Sequence, residues 1–185
     1  GVFLLAVADQ LVLSAVAPTW ATISSASENA MTAAPSDPEL RLAAFDADDL
    51  SVISAHLQDS LVRVGDMAWL PEQDRFALVL SRFDWIAAGE GRCERATTGL
   101  HFDRVRTVRQ CDVPQTTPNV ILELLAISFE PTEAPAGRVT LTFAGGAAVR
   151  LEVECLEACV RDMGPRWTAR RKPGHALDGE AAPGS

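Results

Sequence analysis

The residues most able to do chemistry lie in two short segments. Gly99–Val108, GLHFDRVRTV, holds His101, Asp103, Arg104 and Arg106, and Arg82–Trp85, RFDW, adds Arg82, Asp84 and Trp85. A carboxylate beside an imidazole sets its tautomer and basicity, and an arginine beside both holds an anion, so the set suits general acid–base work. That chemistry requires the two segments to lie on neighbouring strands. The alternative is the ion-paired outer face that antiparallel sheets normally carry. No Gly-rich phosphate loop, nucleophile motif or set of metal ligands accompanies the cluster. The outer-face reading is therefore preferred, and His101 and Asp103 stand as the catalytic candidates of a small hydrolase- or isomerase-type enzyme.

A second set is built for binding. The run Arg166–Lys172 carries four basic residues and Trp167, types that grip an acidic partner or RNA. Arg82, Trp85, Arg104, Trp167 and Arg170 are the candidate binding residues. The formal net charge of −9 opposes a nucleic-acid role, because the phosphate backbone would be repelled by most of the surface. The partner expected is a protein or a small molecule. Cys93, Cys111, Cys155 and Cys159 show no metal-type spacing, so no metal or cofactor is expected. They read as free thiols, which places the chain in a reducing, cytoplasmic setting.

These residues need a scaffold, and the stretch from Arg138 to Pro165 supplies its clearest part. Val139, Leu141 and Phe143 alternate with Arg138, Thr140 and Thr142; Val149, Leu151 and Val153 alternate with Arg150 and Glu152. That is the period of strands with one buried face. Directly opposed residues share a face, so only an odd-numbered loop keeps Leu141 opposite an apolar partner. The loop Ala144-Gly145-Gly146 sets Leu141 against Val149, Val139 against Leu151 and Arg138 against Glu152, with Gly146 left-handed. After it, Cys155, Leu156, Cys159, Val160 and Met163 recur at helical spacing, and Gly164-Pro165 reads as a stop, which predicts a C-terminal helix burying both cysteines.

Upstream, residues 1–30 carry an apolar run (FLLAVADQLVLSAVA) with no Lys or Arg. The run has no basic flank for a secretory signal and is too interrupted by Asp9 and Gln10 to span a membrane. Met31 reads as an ordinary start, so residues 1–38 are expected to be an extension and leader outside the fold. Leu40–Phe45 predicts a strand. Asp46 then predicts a helix cap with Asp49 as its capping-box partner, and Leu50, Ile53, Leu57 and Leu61 share the face of a helix running to about Ser60. His56, at the edge of that face, reads as a boundary histidine. Strands are predicted over Leu61–Leu70, Arg75–Trp85, Thr97–Arg109 and Val120–Glu130, the last with Ile121, Leu125, Ile127 and Phe129 inward. Residues 166–185 form a basic segment and a polar tail.

The fold class expected is α+β in one domain, 39–165. It is a small antiparallel β-barrel or curled sheet with one N-terminal helix and a C-terminal capping helix, in the manner of pleckstrin-homology-like domains. A flat α+β sheet is the alternative. The segments HLQDSLVRVGDMAWLP, RFALVLSRFDW, TGLHFDRV, the hairpin with LEVECLEA, and DMGPRW together resemble domain-of-unknown-function family 2948, small alphaproteobacterial proteins. The resemblance covers roughly residues 39–178. It implies no activity, cofactor or catalytic residue, because the family has none established. Two functions remain open: a non-enzymatic cytoplasmic binding or regulatory module using a sheet edge or barrel mouth, which is preferred, and the enzyme centred on His101 and Asp103. An enzyme needs those side chains in a cleft; a module needs an apolar groove or an open edge.

Overall fold

Alternating hydrophobic and polar residues make strands through most of the chain. The structure is a computed structural model that describes residues 39–169 and residue 173; residues 1–38, Arg170 and most of the tail lie outside the described residues. The elements are β1 (Arg41–Ala44), α1 (Ala47–Leu57), β2 (Ser60–Leu70), β3 (Arg75–Phe83), α2 (Trp85–Gly89), β4 (Glu94–Cys111), β5 (Ile121–Pro131), β6 (Gly137–Phe143) and β7 (Ala148–Thr168). The sheet order is β1-β7-β4-β3-β2-β5-β6, and β6 also pairs with β7. That extra pairing closes β2, β3, β4, β7, β6 and β5 into a small antiparallel barrel, leaving β1 as an added strand on β7. Closure removes the sheet edges that an open sheet would expose.

The hairpin of β6 and β7 has the register its parity demands. Leu141 faces Val149, Val139 faces Leu151 and Arg138 faces Glu152. The Phe143 N–H donates to Ala147 O at 2.9 Å across the loop, and Gly145 and Gly146 both take positive φ, 79° and 89°, a region that a Cβ disfavours. Arg138 Nε donates to Glu152 at 3.1 Å on the outer wall, while Phe143 and Val153 are buried.

α1 begins where Asp46 caps it, accepting from Asp49 N–H at 2.8 Å. It stops at Leu57, earlier than the pattern predicts. Asp59 turns left-handed at φ 59° and donates its N–H to Leu124 O at 2.8 Å, so Leu61 belongs to β2. α1 packs against β5, β3 and β7, alternate strands of the ring, and so lies across a barrel opening. Leu50, Ile53 and Leu57 join the core. Burial of three such side chains is worth roughly 4–9 kcal/mol of transfer free energy, which holds a helix too short to persist alone.

The predicted C-terminal helix is a strand. Residues of β7 pair with β4 and β1, with Leu100 opposite Val160 and Ala43 opposite Cys159. The inward face switches from Val149, Leu151 and Val153 to Leu156, Ala158, Val160 and Asp162. The switch occurs where the β4–β7 register shifts between Asp103 and Val105, opposite Arg104 at φ 58°. Inward Leu156 and Val160 and outward Cys155, Cys159 and Met163 together imitate a helical stripe. Cys155 and Cys159 are half-exposed free thiols on the outer face, not core residues, and α1 takes the capping place. In β5 a register shift between Leu124 and Ala126 likewise moves the phase. Leu122 and Leu124 are buried, whereas Ile121 and Leu125 face solvent.

Candidate functional site

His101 lies on the outer wall in a cross-strand row, Ala77, His101, Cys159 and Ala43, running over β3, β4, β7 and β1. Two positions along β4, Asp103 accepts from Arg75 Nε at 2.6 Å. Its other oxygen is 3.6 Å from His101 Nε2, too long for a hydrogen bond that would orient the ring. Partial burial lowers the His101 pKa below its ordinary value; Asp103 opposes the shift and Arg75 adds to it. Burial, then Asp103, pushes the Cys159 thiol up. A neutral imidazole beside a protonated thiol is not an activated nucleophile pair.

Arg82 and Asp84 do not join that cluster. β3 and β4 are neighbours, as the cluster needed, but Arg82 pairs with Ala96, five residues from His101 along β4, roughly 16 Å at strand spacing. It also points the other way. Only 3% exposed, it donates to Asp162 through Nε (3.2 Å) and Nη2 (2.7 Å). The Asp162 carboxylate also accepts from Thr98 Oγ1 at 2.6 Å and from Leu40 N–H at 3.0 Å. Asp84 accepts from Arg166 and caps α2 through the N–H groups of Ile86 and Ala87 at 3.1 Å. Burial alone would raise the Asp162 pKa, but its hydrogen bonds from Arg82, Thr98 and Leu40 more than offset this and hold it below the usual carboxylate value. Two arginines and two aspartates thus meet at one level of the barrel, with their donors and acceptors facing one another. The arrangement joins β3, β4, β7 and the entry to β1. Sequence patterning did not mark Asp162 and Arg166 as partners, because the segment patterned as a helix.

The other candidates are scattered. Trp85 packs edge-on against Phe83, with ring centroids 4.8 Å apart, and its indole N–H faces Gln58 O at 3.4 Å. Arg104 lies 3.7 Å from Glu157 on the surface. Trp167 is exposed opposite Arg95. Arg170 lies outside the described residues. Among the described residues no three His, Cys, Asp or Glu side chains gather as a metal-ion site, and no helix is long and apolar enough to cross a membrane.

A cleft occurs elsewhere, at the seam where β7 changes partners. β6 pairs with β7 as far as Val153 and β1 pairs with it from Ala158, so Glu154–Glu157 lies between them. The β5–β6 turn and the β1–α1 turn face each other across this interval. The cleft, about 270 Å³, is lined by Phe45, Asp46, Ala47, Phe129, Pro131, Ala134–Ala136, Cys155 and Leu156. Its lining is almost wholly apolar, and Phe45 on its rim is 68% exposed. The Phe129 ring reaches its place only because position 137 is glycine: a Cβ there would sit 2.3 Å from two ring carbons. Sequence patterning missed the site because three separate turns and bulges build it. The only local signal was Phe45, an aromatic beside a helix cap.

Residues 40–175 match a family described as "Protein of unknown function (DUF2948)". No curated protein matches the chain, and no solved structure matches it.

Proposed function

The chain belongs to the DUF2948 family of proteins of unknown function, and we propose that it is a non-catalytic binding module that takes its partner in the seam cleft. The observation that carries this reading is the cleft itself: apolar lining and a solvent-exposed Phe45 beside the interval of β7 that lies between β6 and β1. Large exposed aromatics at a concave apolar site favour contact with another molecule. The cleft is smaller than the roughly 300–1,000 Å³ of small-molecule sites, which favours a side chain presented by a protein. His101 and Asp103 lie on the outer wall away from this cleft, with the carboxylate already committed to Arg75, which favours the module over the enzyme reading. The free thiols suit a reducing compartment, and we place the module in the cytoplasm. The pleckstrin-homology-like analogy leaned on a C-terminal capping helix, and with α1 in that role it adds nothing here.

The experiment is affinity capture from native lysate with the wild-type chain and with Cys155→Trp, which fills the cleft from β7. A partner held by the wild type and lost by the variant is the expected result. Equal retention by both, or turnover of any substrate that His101→Ala abolishes, overturns it.

A further inference from the structure

Resting on that reading of the cleft, we infer that its occupant is an extended, basic segment of a partner protein that seats one bulky apolar side chain. The charge around the cleft carries the inference. Asp46 lines it, Asp48 and Asp49 follow in the first turn of α1, and Glu133 lies in the facing β5–β6 turn. All four are exposed, and none has an ion-pair partner among the described residues. The nearby arginines are committed: Arg104 to Glu157, Arg106 to Glu154 and Asp74, Arg138 to Glu130 and Glu152. Carboxylates with no ion-pair partner among the described residues thus flank an apolar notch from both turns, which is the complement of a hydrophobic residue flanked by Lys or Arg.

The backbone favours an extended segment. Glu154, Cys155 and Leu156 have no register partner in β4, β6 or β1, and β1 pairs with a strand on one edge only among the described residues. Main-chain groups beside an apolar pocket are the elements of recognition by strand addition, in which the backbone supplies affinity and the pocket supplies selectivity. A second copy of this chain fits poorly. A two-fold contact through the notch would set its carboxylates against their own images, in a chain of net charge −9.

The test titrates the ¹⁵N-labelled full chain with three blocked pentapeptides: Arg-Val-Trp-Val-Arg, its Ser-flanked analogue and its Glu-flanked analogue. The basic peptide is expected to shift the amides of Phe45–Ala47, Ala136 and Cys155–Leu156. It should bind about ten-fold tighter than the Ser form and weaken as salt rises from about 0.05 to 0.3 M. Asp48→Asn with Glu133→Gln, neither a helix cap, should bring the two peptides within about two-fold of each other. If the Ser and basic peptides shift the cleft amides equally, the basic partner is refuted while the cleft stands. If no peptide moves those amides, the extended-segment occupant is refuted, and the Cys155→Trp capture decides separately whether the cleft binds anything. A concentration-dependent dimer with cleft shifts in the free protein would overturn the inference in favour of self-association.

Discussion

Replacing Asp162 with Asn tests the buried ionic layer most directly. The carboxylate is 3% exposed and receives two hydrogen bonds from Arg82, one from Thr98 and one from Leu40 N–H. Asn keeps the shape but offers one acceptor oxygen, and its amide turns two donors toward other donors. Among the described residues Arg82 then keeps only Asp84, 3.7 Å away, as an acidic partner. Removing one partner of a buried pair costs about 3–5 kcal/mol, a fall of roughly 6–20 °C in Tm for a domain of this size. Urea unfolding monitored by tryptophan fluorescence measures it. The double change Arg82→Met, Asp162→Leu removes one charge of each sign and leaves Asp84 paired with Arg166, and should lie closer to wild type than Asp162→Asn. The pH dependence has a definite sign. The folded-state pKa of Asp162 is depressed, so its contribution is complete above the unfolded value of about 3.9 and is lost as pH falls through the folded value. The gap between wild type and Asp162→Asn should therefore narrow below about pH 4. A cost under about 0.5 kcal/mol at pH 7, or a gap that widens in acid, would refute the account.

Gly137→Ala forces a methyl to within 2.3 Å of the Phe129 ring and 2.9 Å of Glu130 O; a loss of about 1–3 kcal/mol is expected in denaturant melts, and Phe129→Leu in the same chain should return part of it. His101, whose folded pKa is lowered chiefly by burial, should titrate below about 6.5 by NMR. Its contribution to stability is present above that unfolded value and lost as pH falls through the folded one, so a midpoint at or above 6.5 would contradict the burial seen here. Cys159→Arg places the new side chain on the outer wall beside Asp103 and Glu157, so it should cost less than about 1 kcal/mol; a cost several times larger would mean that the thiol faces inward. Cys155, raised first by desolvation and then by its contact with Glu157, should react with iodoacetamide more slowly than glutathione near pH 7.5, and an equal rate would count against that environment.

The β6–β7 hairpin could be read from sequence because its register depends on local parity: alternating Val139, Leu141 and Phe143 admit only an odd-numbered loop. The Asp46 cap was legible for the same reason, since donor and acceptor are three residues apart. Legibility ended where a bulge changed phase. Across Glu154–Cys155 and across Leu125 the inward face moves by one residue, and a period-two pattern with a phase slip resembles a helical period over a short window. The ionic layer was hidden for another reason. Arg82 meets Asp162 and Asp84 meets Arg166 across some eighty residues, and only the placing of β3 and β7 on either side of β4 brings them to one level. The cleft combines both obstacles.

β7 has a further consequence for how the molecule comes into being. It is the last described strand, yet β4, β6 and β1 all depend on it: Leu100 meets Val160, Val139 meets Leu151 and Arg41 meets Arg161. While a ribosome is still translating residues before Ala148, β1 has no strand partner among the described residues, and β4 and β6 each present an open edge with an apolar face behind it. Such an intermediate can pair with another nascent chain. Contacts of this sequence separation also place folding toward the slow, millisecond-to-second end for small domains. Closure of the ring must therefore wait for the final strand, and the interval before it is when this chain most needs a chaperone.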